Sequence, residues 1–125
     1  RTHHIKGGVA IYVRENFRNQ STSLNASQYS EELLCEIAAV KLQTKPRDTY
    51  IIGVYRPDYN FENALEILGT FLDTIPTWKS TVILMGDINV DCLDESSTRN
   101  KTLEAFLNTY NIIRLYLPPT RITPH

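Results

Sequence analysis

The spacing of apolar residues changes along the chain, from short strand-like runs to a helical period. Runs rich in β-branched residues predict strands at 9–13, 34–42 and 49–55. A turn with proline over 45–48 separates the last two runs and predicts a hairpin. Residues 15–32 are rich in Asn, Ser and Gln, and they predict an irregular connection between the first two strands.

Apolar residues then recur at every third or fourth position over 61–75. This period predicts a helix that ends before Pro76 and follows Asn60, whose side chain is expected to cap it. The next run, 81–85, is the most strand-like in the chain. Because this run is apolar on both faces, it predicts a strand in a sheet that is covered on both sides.

A second helix and a last strand complete the predicted order. The helix has an apolar face formed by Leu103, Phe106, Leu107 and Tyr110, and the strand covers 112–117. The order β-β-β-α-β-α-β predicts an α/β fold, in which helices pack against a mixed sheet. Since no repeat or linker interrupts it, we expect one domain over 1–125.

Composition restricts the class of protein. A chain of 125 residues and 14.4 kDa, 42% hydrophobic and 22% charged, suits one soluble globular domain. The net charge of -1 and pI near 6.3 argue against a non-catalytic protein that grips nucleic acid by bulk charge, although a local basic groove stays compatible. Two cysteines, Cys35 and Cys92, provide no disulfide framework, so an intracellular compartment is expected, with no membrane span.

The segment Gly86-Asp87-Ile88-Asn89 follows the apolar run at 81–85 and has the composition of a reactive strand end. If the chain stays extended, Asp87 and Asn89 project to the same side. Phosphodiester hydrolysis needs a carboxylate to orient water or hold Mg²⁺, and neutral donors for phosphate oxygens. The alternative is an Asx turn that closes the strand, since Asp and Asn are common turn residues.

Four segments in order resemble the endonuclease domain of non-LTR retrotransposons, in the endonuclease/exonuclease/phosphatase superfamily. They are Gly-Gly-Val-Ala-Ile-Tyr-Val at 7–13, Gly-Val-Tyr-Arg-Pro-Asp at 53–58, Val-Ile-Leu-Met-Gly-Asp-Ile-Asn at 82–89 and Pro-Thr-Arg at 119–121. The resemblance implies a DNase I-like mixed-sheet sandwich flanked by helices. It also implies Mg²⁺-dependent nicking of DNA that leaves a 3′-hydroxyl, with Mn²⁺ as a possible substitute for Mg²⁺.

The resemblance implies a role for each matching residue of the reactive centre. Asp87 is expected to be the general base for the attacking water or a ligand of the metal ion. Asn89 is expected to orient the phosphate or the nucleophile, and Tyr55 to contact the phosphate or stabilise the leaving group. The implied partner is DNA, with no small-molecule cofactor, and the implied compartment is the nucleus.

Four further residues are expected on the substrate side. Arg56 and Asp58 follow Tyr55 directly, and Asp58 stands where relatives that cut at abasic sites carry Asn. Thr120 and Arg121 correspond to the rim that faces DNA, where a guanidinium suits a phosphate.

Parts of the family pattern have no counterpart in this chain. The Asn and the metal-binding Glu of the first motifs are expected before Gly7, and the closing Asp-His pair beyond Arg121. Glu15, Glu36 and His125 match none of them. We therefore expect a partial domain that is inactive alone. Two alternatives stay open, a phosphatase or deadenylase of the same fold and a catalytically inactive remnant.

Aromatic residues outside these motifs have two interpretations each. Tyr12 and Tyr50 on predicted strands favour packing over base stacking. Trp78, between the predicted helix and strand, is expected to cover the edge of the core. An exposed Trp78 is instead a candidate contact for DNA.

Overall fold

A computed structural model of the chain describes residues 8–31, 34–58, 60–91 and 93–115. In chain order the elements are a 3₁₀ helix (Glu15–Gln20), β1 (Ser21–Leu24), β2 (Glu36–Leu42), β3 (Thr49–Tyr55), α1 (Phe61–Leu72), β4 (Thr81–Asp87) and α2 (Thr98–Thr109). They fall into two compact units, one that ends at Asn89 and one that starts at Val90. The first unit contains the sheet and α1, and the second contains α2.

The sheet is mixed, as predicted, with the strand order β1-β2-β3-β4. The first two pairings are antiparallel and the β3–β4 pairing is parallel. The predicted hairpin is confirmed, because β2 and β3 pair from Leu42 opposite Thr49 to Glu36 opposite Tyr55. Strands β3 and β4 pair from Thr49 beside Thr81 to Tyr55 beside Asp87, so both strands end at the same edge of the sheet.

The core of the first unit comes from alternate residues of β3 and from the apolar stripe of α1. On β3 the buried alternating residues are Tyr50, Ile52 and Val54. On α1 they are Phe61, Ala64, Leu65, Leu68, Phe71 and Leu72. Burying a large aliphatic side chain of this kind contributes about 1.5–3 kcal/mol, so Ile52 and Leu72, both 0% exposed, are major contributors.

Helix α1 confirms the predicted helix and is shorter than its apolar pattern. The last helical residue is Leu72, and turn hydrogen bonds from Thr74 and Ile75 to Phe71 and Leu72 continue the chain to Pro76. The prediction that Asn60 caps the helix by its side chain is wrong. Asn60 has a left-handed backbone (φ 52°) and makes no capping side-chain bond.

The segment before β2 differs from the prediction. Residues 9–13 form no strand, although Val9 lies close to Gly53 of β3. The polar stretch predicted as a connection contains the 3₁₀ helix and β1. The polar side chains of this stretch are compatible with β1, because β1 is a four-residue strand that pairs with β2 alone among the described strands and has no fully buried residue.

Strand β4 confirms the predicted strand but not its burial. It lies at the edge of the described sheet, with β3 as its neighbour. On its outer face Ile83 is 42% and Met85 is 56% exposed, so the expected cover on both sides is wrong for the described residues. An apolar run alone does not distinguish a central strand from an edge strand.

In the second unit, α2 confirms the predicted second helix. Ser97 caps it by accepting a hydrogen bond from the Asn100 N–H, and Leu103 and Leu107 are its buried apolar residues. Residues 112–115 of the predicted last strand are irregular, and the rest of that strand lies outside the described residues. No helix in the described part of the chain is long and apolar enough to cross a bilayer.

Candidate functional site at the carboxyl ends of β3 and β4

Tyr55 and Asp87 are the last residues of two adjacent parallel strands and are paired in register. Neighbouring strands lie about 4.8 Å apart, so paired side chains stand next to each other on one face of the sheet. Asp87 is exposed and Tyr55 is partly exposed. The two residues that the sequence selected from different segments therefore meet at one solvent-accessible edge.

The same row continues to Glu36, which is the register partner of Tyr55 across the β2–β3 hairpin. Glu36 is partly buried and matched none of the expected motifs. Its place could have been found from the hairpin, because Glu36 and Tyr55 are equally far from the turn along their strands. Two carboxylates thus flank Tyr55 in one row.

After Asp87 the chain turns instead of staying extended. The Asn89 N–H donates to Asp87 Oδ1 (3.0 Å), and Asn89 has a left-handed backbone with φ 53°. This is the Asx turn of the alternative interpretation. The Asn89 carboxamide also donates through Nδ2 to the carbonyl of Arg56, so this donor is bound to the backbone of the neighbouring strand end.

Arg56 fixes this turn from the interior. Its guanidinium is 0% exposed and donates to the carbonyls of Ile88 (Nε, 2.7 Å), Asn89 (Nη2, 2.8 Å) and Pro57 (Nη1, 2.7 Å). Its backbone N–H donates to the Asp87 carbonyl (2.9 Å). Charged hydrogen bonds of this kind contribute about 1.5–3 kcal/mol each.

The expected role of Arg56 as a substrate contact is therefore corrected. A guanidinium that is buried and turned towards backbone carbonyls positions Asp87 and Asn89 and does not face solvent. Its ring contact agrees with this role, since Arg56 Cζ lies 5.2 Å from the centre of the Phe61 ring. The sequence contained no local signal for this burial.

Asp58 lies at the same end of the sheet. It is 69% exposed, and its Oδ1 is 3.6 Å from Arg56 Nη2. Its carboxylate balances part of the buried positive charge and is also accessible to a ligand. Asp58 can therefore take part in substrate binding without losing its place beside Arg56.

Gly86 brings the two strand ends close together. It has φ +132°, and a Cβ atom built there would lie 2.0 Å from the Val54 carbonyl oxygen. Such a contact is far inside van der Waals distance, and positive φ is itself unfavourable for other residues. Glycine at this position therefore permits the backbones of the two strand ends to approach each other closely.

Cys35 lies next to Glu36 and is 1% exposed, so its side chain belongs to the core. Burial raises the pKa of its thiol from 9.0 to about 11, against a lowering by the positive charge of Arg56 and with a further rise from Glu36. A thiol with this pKa stays protonated near neutral pH and is a poor nucleophile. Cys35 is thus part of the core beneath the site.

Two predicted site residues, Thr120 and Arg121, fall outside the described part of the chain. Cys92 and His125, which matched none of the motifs, lie outside it as well. Among the residues that the structure describes, no group of three or more His, Cys, Asp or Glu side chains could hold a metal ion.

Comparison of the chain with protein-family models, with curated proteins and with solved structures found no match.

Proposed function

We propose that this chain carries part of the active site of a phosphodiesterase that nicks DNA, like the endonuclease domains of non-LTR retrotransposons. The observation that supports this most is the register pairing of Tyr55 and Asp87 at the carboxyl ends of parallel strands. Ligands of α/β sheets bind at such ends. The wider fold in this proposal is a DNase I-like sandwich flanked by helices.

In the proposed reaction Asp87 is the general base. Its Oδ1 is held by the Asn89 N–H, so Oδ2 is assigned to the attacking water. As the water oxygen bonds to phosphorus, the carboxylate takes its proton and the bond between phosphorus and the 3′ oxygen breaks. The 3′ oxygen takes a proton from solvent, which leaves a 3′-hydroxyl and a 5′-phosphate.

Tyr55 has the complementary role of hydrogen-bond donor. Its hydroxyl is assigned to a phosphate oxygen whose negative charge grows during the attack. Arg56 acts indirectly, as a positioning residue. Its hydrogen bonds to the carbonyls of Ile88 and Asn89 fix the turn that orients Asp87. In the proposal Thr120 and Arg121 contribute to the surface that faces DNA.

The proposal includes Mg²⁺, or Mn²⁺ in its place, as cofactor. Proteins hold Mg²⁺ through one or two carboxylates, with water and substrate phosphate as the other ligands. As the alternative to its role as general base, Asp87 is an exposed carboxylate that would fit this position. Because the described residues form no complete metal site, no step of the reaction is assigned to the ion.

A plasmid-nicking assay in Mg²⁺ tests the proposal, in a longer chain that also carries the metal-binding Glu and the Asp-His pair of the family pattern, because this chain is expected to be inactive alone. Asp87→Asn should lower the nicking rate by about 100-fold or more, since general-base catalysis contributes roughly that much. Tyr55→Phe should lower it by about 10-fold, which corresponds to one lost hydrogen bond to a charged group. Glu66→Gln, which removes an exposed carboxylate from α1, is the control and should leave the rate unchanged.

The outcome also separates the alternatives. Nicking that does not depend on Asp87 would contradict the proposal. Hydrolysis of a phosphomonoester without nicking of DNA would assign the site to a phosphatase instead. A folded longer chain with neither activity would identify the site as that of a catalytically inactive remnant.

A further inference from the structure

The end of the sheet opposite Asp87 carries a basic surface with an exposed tryptophan. Two loops form it, the β2–β3 turn at 43–48 and the α1–β4 connection at 73–80. We term its four exposed side chains the basic–aromatic surface: Lys45, Arg47, Trp78 and Lys79. Because β3 and β4 begin in register, at Thr49 and Thr81, the two loops lie side by side.

Hydrogen bonds hold both loops in place. The Thr81 N–H donates to the Asp48 carbonyl (2.9 Å), which joins the end of the first loop to the start of β4, where the second loop ends. Within the first loop the Thr44 hydroxyl donates to the Arg47 carbonyl (2.6 Å), and within the second the Lys79 N–H donates to the Pro76 carbonyl (3.2 Å). The side chains of the surface therefore project from an ordered backbone.

The two ends of the sheet differ in their exposed charges. At the Asp87 end the exposed charges are carboxylates such as Asp58, and the arginine there, Arg56, is buried. At the opposite end the carboxylate of Asp48 is paired with Lys41 at 3.6 Å, and the α1–β4 connection begins with one exposed carboxylate, Asp73. Within the described parts of the chain, the three cations of the basic–aromatic surface are in no ion pair.

Trp78 adds an aromatic face to these cations. Its side chain is 73% exposed, and Lys79 Nζ lies 5.3 Å from the centre of its ring. An aromatic ring among cations matches a ligand that is both planar and anionic. Nucleic-acid bases stack on such rings while cations bind the phosphates.

We propose that the basic–aromatic surface binds single-stranded nucleic acid, with a base stacked on Trp78 and phosphates on Lys45, Arg47 and Lys79. A single strand fits better than a duplex. In a duplex each base is already paired and stacked on its neighbouring bases, whereas a base of a single strand can leave the stack and lie against the Trp78 ring. The surface lies about 20 Å from Asp87, the length of a seven-residue strand. It is a separate site, and its assignment does not rest on the proposed phosphodiesterase activity.

Trp78 is the single tryptophan of the chain, so its fluorescence reports on this surface alone. Titration with an oligothymidylate should quench that fluorescence. The affinity should fall with salt with a logarithmic slope of about -2, as expected for three phosphate contacts on a single strand. Unchanged fluorescence on binding, or an affinity independent of salt, would overturn the proposal.

Variants then separate stacking from charge, with a dye-labelled oligothymidylate and its anisotropy as the readout. Trp78→Ala should lower the affinity about 5- to 100-fold, the range expected for loss of one stacked base. We expect the affinity to depend much less on salt in the triple variant, which combines Lys45→Gln, Arg47→Gln and Lys79→Gln. The matched control is Lys101→Gln, which changes an exposed lysine on α2 and should alter neither the affinity nor its salt dependence. Equal changes in this control would overturn the proposal.

Two further measurements identify the kind of partner. Vesicles rich in phosphatidylserine should neither quench Trp78 nor compete with the oligothymidylate, and if they did both, the nucleic-acid assignment would be overturned. Asp87→Asn should retain full binding. Loss of nicking with binding intact would thus concern the first site, and loss of binding with nicking intact would concern this one.

Discussion

The two ends of the β3–β4 pair are built in opposite ways. At the carboxyl end the backbone is fixed from within, by the buried Arg56 guanidinium and by the close contact of Gly86 with Val54. At the amino end the bond from Thr81 to Asp48 joins the β2–β3 turn to the start of β4, and the side chains of Lys45, Arg47 and Lys79 are exposed to solvent. The first construction holds a fixed geometry and permits few substitutions. The second construction presents charged side chains to solvent, and the fold permits many substitutions there.

The largest expected effect comes from giving Gly86 a side chain. Gly86→Ala places a methyl group 2.0 Å from the Val54 carbonyl oxygen, at positive φ. We expect a loss of about 4 kcal/mol or more in unfolding free energy, or a chain that does not fold. Urea denaturation followed by circular dichroism measures it.

Gly8 is the matched control for this substitution, because it also has positive φ (+121°) but a Cβ there has space, 3.9 Å from Glu36 Oε2. Gly8→Ala should cost about 1–3 kcal/mol, from backbone strain alone. Equal losses at both positions would show that the close contact does not control the strand end.

Removal of the Arg56 guanidinium is expected to have the next largest effect. Arg56→Gln leaves the carbonyls of Ile88 and Asn89 without their donor in a buried setting. The expected loss in unfolding free energy is about 3–5 kcal/mol, measured from urea midpoints. Arg47→Gln makes the same exchange at the exposed end and should stay within about 0.5 kcal/mol. Similar losses would remove the contrast between the two ends.

Alkaline pH should weaken the carboxyl end through Cys35. Burial raises the pKa of its thiol from 9.0 to about 11, so the folded state keeps a proton that the unfolded state has lost. Stability from this group is therefore complete below about pH 9 and declines as pH rises to about 11, by on the order of 2–3 kcal/mol. Denaturation curves across this range should show the decline. In Cys35→Ala this part of the pH dependence should be absent.

The smallest effect is expected at the amino end. Lys45→Gln and Lys79→Gln each remove one exposed charge that is in no ion pair with the described residues. Each should change the unfolding free energy by less than about 0.5 kcal/mol, measured by urea denaturation. A loss above about 2 kcal/mol at either lysine would mean that the amino end is also held by its side chains.

The sequence was sufficient where local patterns decide the structure. The turn over 45–48 and the flanking runs predict the β2–β3 hairpin, and a period of three to four predicts α1. The strand end at Tyr55 follows from the same patterns, whereas the predicted run 81–85 stops two residues before Asp87, the observed end of β4. The segments that contain the two residues could therefore be predicted, but the pairing of Tyr55 with Asp87 could not.

The rest depends on contacts between distant residues. Arg56 Nε donates to the carbonyl of Ile88, 32 positions away, and no local pattern records that bond. The left-handed turn at Asn89 has the same origin, because the Asn89 side chain binds the Arg56 carbonyl. The sequence predicted a strand covered on both faces and so did not predict that Ile83 and Met85 are exposed. Their exposure depends on which strand lies at the edge of the sheet, and the apolar pattern does not determine that.

The space beside the Val54 carbonyl has a consequence for how the gene can vary. Glycine codons share their first two bases and differ only at the third, so third-base changes at Gly86 are silent. Any missense change there adds a Cβ atom where that carbonyl already lies. Neutral variation at this codon should therefore be confined to its third base.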